Sequence, residues 1–114
     1  MPREIRGWNE RNCLADSLNL WLDDMRDPKI WGRPEDLEWC WVTTVDQAKQ
    51  LLKTGRVAIA SLDNDLGYDE EGRDLVYWMA EHDIWPSEAC YAHSSNGPAW
   101  DYMTKMIARY GPYG

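Results

Sequence analysis

Four short apolar runs, each separated from the next by polar or amphipathic sequence, limit the folds open to this chain. The runs cover residues 18–22, 39–42, 57–62 and 88–92. Helical patterns follow the last three runs, from Thr44 towards Gly55, over about 73–82, and over about 98–110. This alternation of strands and helices predicts an α/β fold whose strands form a parallel sheet.

The predicted helix after the second run has clear boundary signals. Thr44 is a plausible N-cap, and Gln47, three residues later, would complete a capping box. Gly55 is a natural helix stop. The last helix is predicted to line one face with Ala99, Met103, Met106, Ile107 and Tyr110. Residues 25–38 contain two prolines and one glycine, which predicts a loop.

Length and charge restrict the organisation and the partners. The 114 residues indicate one domain over 18–114, preceded by an N-terminal arm or short irregular helix over 1–17. The net charge of −8 opposes non-specific binding to DNA. It suits a protein that handles cations, a metal-neutralised ligand or a basic protein surface, and solubility alone also explains it.

The sequence favours a cytoplasmic location. No apolar run approaches the roughly 20 residues of a membrane span, so no membrane partner is expected. The N-terminal segment lacks the apolar region of a secretory signal. Cys13, Cys40 and Cys90 are odd in number and have no CxxC spacing. They are predicted to be reduced, small apolar residues rather than a disulfide framework or a zinc site.

The aromatic composition is unusual, with eight Trp, six Tyr and no Phe. A core this small cannot enclose that many large rings, so some are expected at the surface. Exposed rings can stack on nucleobases, as Tyr68 and Trp100 could do, or support a homodimer. For any single ring, packing in the core or in an interface remains the commoner use.

Polar side chains follow three of the predicted strands. Asp23 and Asp24 follow the first strand, and Asp63 and Asp65 follow the third. His93, Ser94 and Asn96 follow the fourth. Because the carboxyl ends of parallel strands open on one edge of a sheet, these groups are predicted to share a crevice.

Crowded carboxylates repel one another, and a bound cation is the usual remedy. Several Asp oxygens with retained waters make a site suited to Mg²⁺, which could neutralise a phosphate. Ser94 and the amides around Gly97 could hold other phosphate oxygens. The plainer interpretation remains open, because an Asp after a strand often forms a turn or caps a helix.

The stretches LWLDDMRDP, WCWVTTVDQAKQLLKTG, IASLDNDLG, EGRDLVYWM and YAHSSNGPAWDYM together resemble the cyclic-phosphate-processing receiver-like domains of phages and bacteria. The resemblance implies a shortened, flavodoxin-like three-layer sandwich of about four parallel strands with helices on both faces. It implies an acidic metal pocket, built here from Asp23, Asp24 and Asp63, that binds Mg²⁺ or Mn²⁺. The fifth strand and lysine of ordinary receivers have no counterpart here.

The resemblance also implies activity on cyclic phosphates of nucleotides or RNA ends. The catalytic residues would be Asp63, Asp65 and His93. The substrate-binding residues would be Ser61, Asn64, Ser94, Asn96 and Trp100. Many relatives have His where this chain has Asn64, and Asn cannot transfer protons at neutral pH.

Three functions follow as hypotheses. The first is a metal-dependent cyclic phosphodiesterase. The second is a nucleotide-binding sponge that captures its ligand without cutting it, which would act in the host cytoplasm against defence signalling if the protein is phage-encoded. The third is an acidic inhibitor of a host protein, and the net negative charge is the only feature that suggests it.

Overall fold

The computed structural model of the protein describes residues 10–32, 37–66, 71–94 and 96–113. Within these ranges, the sheet has four parallel strands in the order β2-β1-β3-β4. They are β1 (Leu18–Leu22), β2 (Trp39–Val42), β3 (Val57–Leu62) and β4 (Ala89–Ala92). The predicted α/β class and its four parallel strands are confirmed.

Five helices lie within the described residues: α1 (Glu10–Cys13), α2 (Pro28–Trp31), α3 (Val45–Leu52), α4 (Gly72–His82) and α5 (Gly97–Tyr110). The three longer ones follow β2, β3 and β4 as predicted. Helix α1 lies in the predicted arm, of which residues 1–9 lie outside the described residues, and the boundary of that arm stays a prediction. In the described ranges, no helix has the length and hydrophobicity needed to cross a membrane.

Helix α2 interrupts a segment that was predicted to be a loop. The Asp27 side chain accepts a hydrogen bond from the Lys29 amide at 2.8 Å, and Pro28 occupies the first turn. The loop prediction was wrong for these four residues because the cap and the proline suffice for one helical turn.

The predicted boundaries of α3 are confirmed by its hydrogen bonds. The Thr44 hydroxyl accepts from the Gln47 amide at 3.2 Å, and the Gln47 side chain accepts from the Thr44 amide at 3.2 Å. Beyond the helix, Gly55 has a φ of +76°, a left-handed conformation that glycine adopts without steric cost. This turn directs the chain into β3.

The two faces of the sheet bury different side chains. One face carries the leucines of β1, and the buried residues of α3, α4 and α5 join the same cluster. The other face carries a cluster of Trp21, Trp39 and Trp41. Helix α2 ends against it, since a Cβ atom on Gly32 would lie 2.6 Å from the Trp39 indole nitrogen. The three long helices therefore pack on one face, and the single turn of α2 lies against the other, so the layers on the two sides of the sheet are unequal.

Helix α5 buries a narrower face than its sequence pattern predicted. Ala99, Met103 and Ile107 are buried, and Met106 packs against the core in part. Tyr110 was predicted on the same face but is 50% exposed, because the helix ends there, beyond the core. Surface aromatic rings were expected, and six are exposed among the described residues: Trp31, Tyr77, Tyr91, Trp100, Tyr102 and Tyr110.

The prediction of three reduced cysteines was wrong for two of them. Cys13 and Cys40 form a disulfide that joins α1 to β2. The two residues are 27 positions apart, so no local spacing announced the pair, and the packing of α1 on β2 brings their Cα atoms to 4.8 Å. Cys90 is free and buried, as predicted. Because Cys13 and Cys40 are not reduced, they do not support the predicted cytoplasmic location.

Candidate functional site

The ends of three neighbouring strands deliver polar residues to one edge of the sheet. Strand-like hydrogen bonding continues one residue past the strands. The Asp63 amide donates to the Leu22 carbonyl at 2.8 Å, and the His93 amide donates to the Leu62 carbonyl at 2.8 Å. These bonds hold Asp23, Asp63 and His93 side by side, so the predicted convergence of strand ends is confirmed for these three residues.

Three carboxylates form a compact cluster at this edge. One oxygen from each of Asp23, Asp24 and Asp63 lies within 4.8 Å of the other two. Asp23 and Asp63 are 1% and 4% exposed, so water screens their repulsion poorly. The cluster opens into a pocket of about 190 Å³ lined by Asp23, Asp24, Met25, Arg26, Asp63 and Asp65.

The loop after β1 is organised around the Asp23 carboxylate. One oxygen accepts hydrogen bonds from the amides of Met25 and Arg26, both at 2.8 Å. The other lies 3.0 Å from Nε2 of His93. Burial alone would raise the pKa of Asp23, but these hydrogen bonds outweigh it and hold the pKa below its usual value.

Two tryptophans of the sheet donate hydrogen bonds to backbone carbonyls of the same loop. The Trp21 indole N–H donates to the Arg26 carbonyl at 2.8 Å, and the Trp41 indole N–H donates to the Asp23 carbonyl at 2.7 Å. Trp21 also stacks on His93, with ring centroids 3.9 Å apart and planes within 9°. Buried rings with satisfied polar tips therefore support the site.

His93 is held at both ring nitrogens. Nδ1 lies 2.7 Å from the Ser61 hydroxyl, and Nε2 lies 3.0 Å from Asp23. The imidazole of His93 does not line the pocket. Its contact with Asp23 therefore serves to orient the Asp23 carboxylate. The predicted catalytic role of His93 stays a prediction, and it requires Nε2 to leave Asp23. Ser61 contacts the imidazole rather than the pocket.

Asp63 has few partners to compensate its charge. Among the described residues, its carboxylate has an ion pair with Arg26 at 3.9 Å. Burial, followed by the negative charge of Asp23, raises the pKa of the Asp63 carboxyl to about 7, although Arg26 opposes the shift. Burial also raises the pKa of Asp24. The pocket therefore destabilises the charged forms of Asp63 and Asp24.

The donor set fits a hard divalent cation. Three carboxylates within reach of one point, two of them buried, provide oxygen ligands and leave room for water. Burial and then repulsion by Asp23 raise the pKa of Asp63, and a cation here would offset both by stabilising the charged carboxylate. Asp23, Asp24 and Asp63 are thus the residues that could hold Mg²⁺ or Mn²⁺.

Arg26 is a functional candidate that the residue-by-residue argument missed. Its guanidinium lies 3.8 Å from Asp23 and 3.9 Å from Asp63, and the side chain is 32% exposed. It is the positive charge in the pocket lining, and a guanidinium suits the oxygens of a phosphate. The available signal was its place in the WLDDMRDP stretch, two residues after Asp24.

Asn64 and Asp65 differ in their surroundings. Asp65 is exposed and lines the pocket. Asn64 is 1% exposed, and its side chain donates to Asp65 at 3.0 Å and accepts from the Arg73 amide at 3.1 Å. Helix α4 starts so close to Asp63 that a Cβ atom on Gly72 would overlap the Asp63 carbonyl. Asn64 therefore joins β3 to α4 and is fully engaged in that contact.

Ser94, Asn96 and Trp100, which follow β4, are not among the residues that line the acidic pocket. The Ser94 hydroxyl accepts from the Asn96 amide at 3.1 Å, and the Asn96 side chain caps α5 through the Ala99 amide at 3.1 Å. Trp100 donates to the Ala92 carbonyl at 3.1 Å. The predicted substrate contacts of Ser94, Asn96 and Trp100 stay predictions, and Tyr68 lies outside the described residues.

A comparison with known families identifies the architecture around this pocket. The family model described as the cyclic-phosphate processing receiver domain matches residues 18–109, which include all four described strands and the acidic pocket. The chain belongs to this family. No significant match is found among curated proteins or among solved structures.

Membership explains the layout of the site. In this cyclic-phosphate-processing receiver domain, β1 and β3 are adjacent, and the acidic residues that follow them face each other across the pocket. The fourth strand supplies His93 from the other side of β3. The chain segments quoted for the resemblance are thus those that build the pocket and its support.

Proposed function

We propose that this domain binds a divalent cation, Mg²⁺ or Mn²⁺, and hydrolyses a cyclic phosphodiester on a nucleotide or an RNA end. The observation that carries the proposal is the convergence of the Asp23, Asp24 and Asp63 carboxylates within 4.8 Å. Without a cation this arrangement is electrostatically costly, as the raised pKa of Asp63 indicates. The family supplies the substrate class, a cyclic phosphate.

The residues of the pocket divide the work of the reaction. Asp23, Asp24 and Asp63 would hold the cation, which when bound supplies positive charge for the phosphate oxygens. Arg26 lies between Asp23 and Asp63, and its guanidinium would bind a non-bridging phosphate oxygen. The cation and Arg26 would together supply the positive charge that offsets the negative charge of the phosphate.

Hydrolysis moves two protons. Water attacks phosphorus and gives one proton to Asp65, the exposed carboxylate of the pocket. One ring P–O bond breaks, and its oxygen takes a proton from His93 once Nε2 has left Asp23. The product is a phosphate monoester beside a free hydroxyl, and solvent exchange restores both side chains.

Capture without hydrolysis is the second candidate. Both nitrogens of His93 are engaged, and the Asn64 side chain is committed to Asp65 and Arg73. The pocket thus has ligands for a cation and a phosphate without a readily available proton donor. In that case the protein binds a cyclic nucleotide and releases it intact.

The test is turnover of 2′,3′- and 3′,5′-cyclic nucleotides with Mn²⁺, followed by chromatography of the products. Wild-type protein is expected to form a phosphate monoester, and His93→Ala is expected to lose that activity. His82→Ala is a matched control, because His82 is exposed on α4 and contacts the Trp78 carbonyl. Turnover that survives His93→Ala contradicts the proposed acid, and binding with full recovery of intact ligand favours capture.

A further inference from the structure

Two large apolar side chains are exposed beside the acidic pocket. Met25 is 75% exposed and lines the pocket. Trp31 is 57% exposed and ends helix α2, five residues beyond Arg26. Exposed apolar groups next to a polar pocket commonly mark the site of a ligand's apolar part.

Arg26 connects the Trp31 ring to the pocket. Its guanidinium nitrogen lies 3.9 Å from an Asp63 oxygen. The guanidinium carbon lies 5.6 Å from the centroid of the Trp31 ring, in the range of a cation–π contact. One side chain thus spans the distance from the carboxylate cluster to the exposed indole.

The indole is presented by a well-supported segment. Asp27 caps α2, and the Trp21 indole holds the Arg26 carbonyl at 2.8 Å. At the other end, Gly32 lies so close to Trp39 that a Cβ atom would meet its indole nitrogen at 2.6 Å. Since both ends of the turn are fixed, binding at Trp31 would require little further ordering.

We infer that Trp31 and Met25 form a subsite that stacks the nucleobase of a nucleotide whose phosphate lies in the acidic pocket. The inference rests on the proposed function for the position of the phosphate. Arg26 lies over one face of the Trp31 indole, and the side chain is still 57% exposed, so the ring can also stack on a planar base, whichever base it is. A nucleotide fits this site because Arg26 contacts both the acidic pocket and the Trp31 ring. One ligand can therefore place its phosphate in the pocket and its base on the ring.

The experiment compares ligands with and without a base, in the presence of Mn²⁺. Equilibrium dialysis, with every protein also carrying His93→Ala to prevent the proposed hydrolysis, measures the affinity for adenosine 2′,3′-cyclic phosphate and for methyl riboside 2,3-cyclic phosphate. Chromatography verifies that each ligand stays intact. Trp31→Leu is expected to bind the adenosine ligand about tenfold more weakly and the methyl riboside ligand unchanged. Trp31→Phe is expected to keep most of the affinity for the adenosine ligand.

Tyr110→Leu is the matched control, since it also removes a half-exposed aromatic ring, at the end of α5 and away from the pocket lining. It is expected to leave both affinities unchanged. An equal loss for both ligands in Trp31→Leu overturns the inference, because Trp31 would then act through Arg26 alone. Loss of self-association in Trp31→Leu, with unchanged nucleotide affinity, also overturns it and indicates a protein interface.

The outcomes separate this inference from the proposed function. Adenosine ligand that binds through Trp31 but is never hydrolysed supports the subsite and contradicts the phosphodiesterase. Hydrolysis of the methyl riboside ligand and the adenosine ligand with equal KM supports the phosphodiesterase and contradicts the subsite. Failure of every cyclic nucleotide to bind contradicts the subsite outright.

Discussion

Asp23 and Asp63 end neighbouring strands and face the same pocket, yet their surroundings shift the pKa values of their carboxyls in opposite directions. Both side chains are buried, at 1% and 4% exposure. The Asp23 carboxylate accepts hydrogen bonds from two amides and lies 3.0 Å from His93. The Asp63 carboxylate has, among the described residues, an ion pair with Arg26 at 3.9 Å.

The difference shows that burial alone does not decide the charge of a carboxyl group. The hydrogen bond with His93, followed by the amides of the loop after β1, stabilises the charged form of Asp23, so its pKa is lowered despite burial. Asp63 is buried and repelled by Asp23 without equivalent donors, so its pKa rises to about 7. The protein compensates the charge of Asp23 with its own donors and leaves Asp63 without equivalent donors.

The largest expected effect is the loss of Mn²⁺ binding in either Asp variant. Asp23→Asn and Asp63→Asn each remove one negative ligand, and both should weaken Mn²⁺ binding by at least about a hundredfold. Isothermal titration measures the affinity. Asp101→Asn, which removes an exposed carboxylate on α5, serves as the control. Retained affinity in Asp63→Asn would mean that the β3 end is not part of the cation site.

The same two variants should change metal-free stability in opposite directions. Asp23→Asn loses charge-assisted hydrogen bonds, so the free energy of unfolding is expected to fall by about 2 kcal/mol. Asp63→Asn removes an uncompensated charge, so the free energy of unfolding near neutral pH is expected to rise by roughly 1–3 kcal/mol. Urea denaturation measures the free energy of unfolding of each variant. If both substitutions lowered it, the proposed difference between Asp23 and Asp63 would be contradicted.

The contrast also predicts how metal-free stability depends on pH. Because the pKa of Asp63 is raised from 3.8 to about 7, the folded state binds more protons than the unfolded state between these values. The Asp63 contribution therefore lowers stability as the pH rises through this window. Asp23 has a lowered pKa, so its contribution is lost only as the pH falls below 3.8.

Urea midpoints measured between about pH 4 and pH 7 should show this decline in the wild type. The decline should be smaller in Asp63→Asn and in wild type saturated with Mn²⁺. An unchanged slope in Asp63→Asn would assign the pH dependence to other groups.

The smallest expected effect concerns the support of the β1 loop. Trp21→Phe can keep a stacked ring on His93 but loses the hydrogen bond to the Arg26 carbonyl. We expect kcat/KM to fall by about fivefold through Arg26, with Mn²⁺ affinity nearly unchanged. Trp21→Leu, which also loses the stacked ring, should cost more. Equal effects of the two variants would mean that stacking on His93 contributes nothing. Wild-type kcat/KM in Trp21→Phe would mean that the hydrogen bond to the Arg26 carbonyl contributes nothing.

Local signals in the sequence were sufficient for most of the fold. The capping box of Thr44 and Gln47, the apolar runs and the strand-end aspartates each depend on neighbouring residues, and the structure agrees with them. The Cys13–Cys40 disulfide depends on packing between distant segments, which no local pattern encodes. Helix α2 was missed because prolines and glycines in the segment also indicate a loop.

The site was predictable in its position and not in its contacts. Parallel topology alone placed Asp23, Asp63 and His93 at one edge. The commitment of Asn64 to Arg73 and the bonding of both His93 nitrogens depend on side-chain geometry. Arg26 was overlooked because the loop that returns it to the pocket is shaped by the hydrogen bond from Trp21, which lies on the sheet.

The central claim is that the carboxylates of Asp23, Asp24 and Asp63 bind one cation together. The most direct measurement is a crystal structure with Mn²⁺ and its anomalous density. The account predicts a peak in contact with oxygens of all three residues, and no such peak in crystals of Asp63→Asn. Crystals in which Mn²⁺ is absent from the pocket, with Arg26 still paired to Asp23 and Asp63, would contradict it.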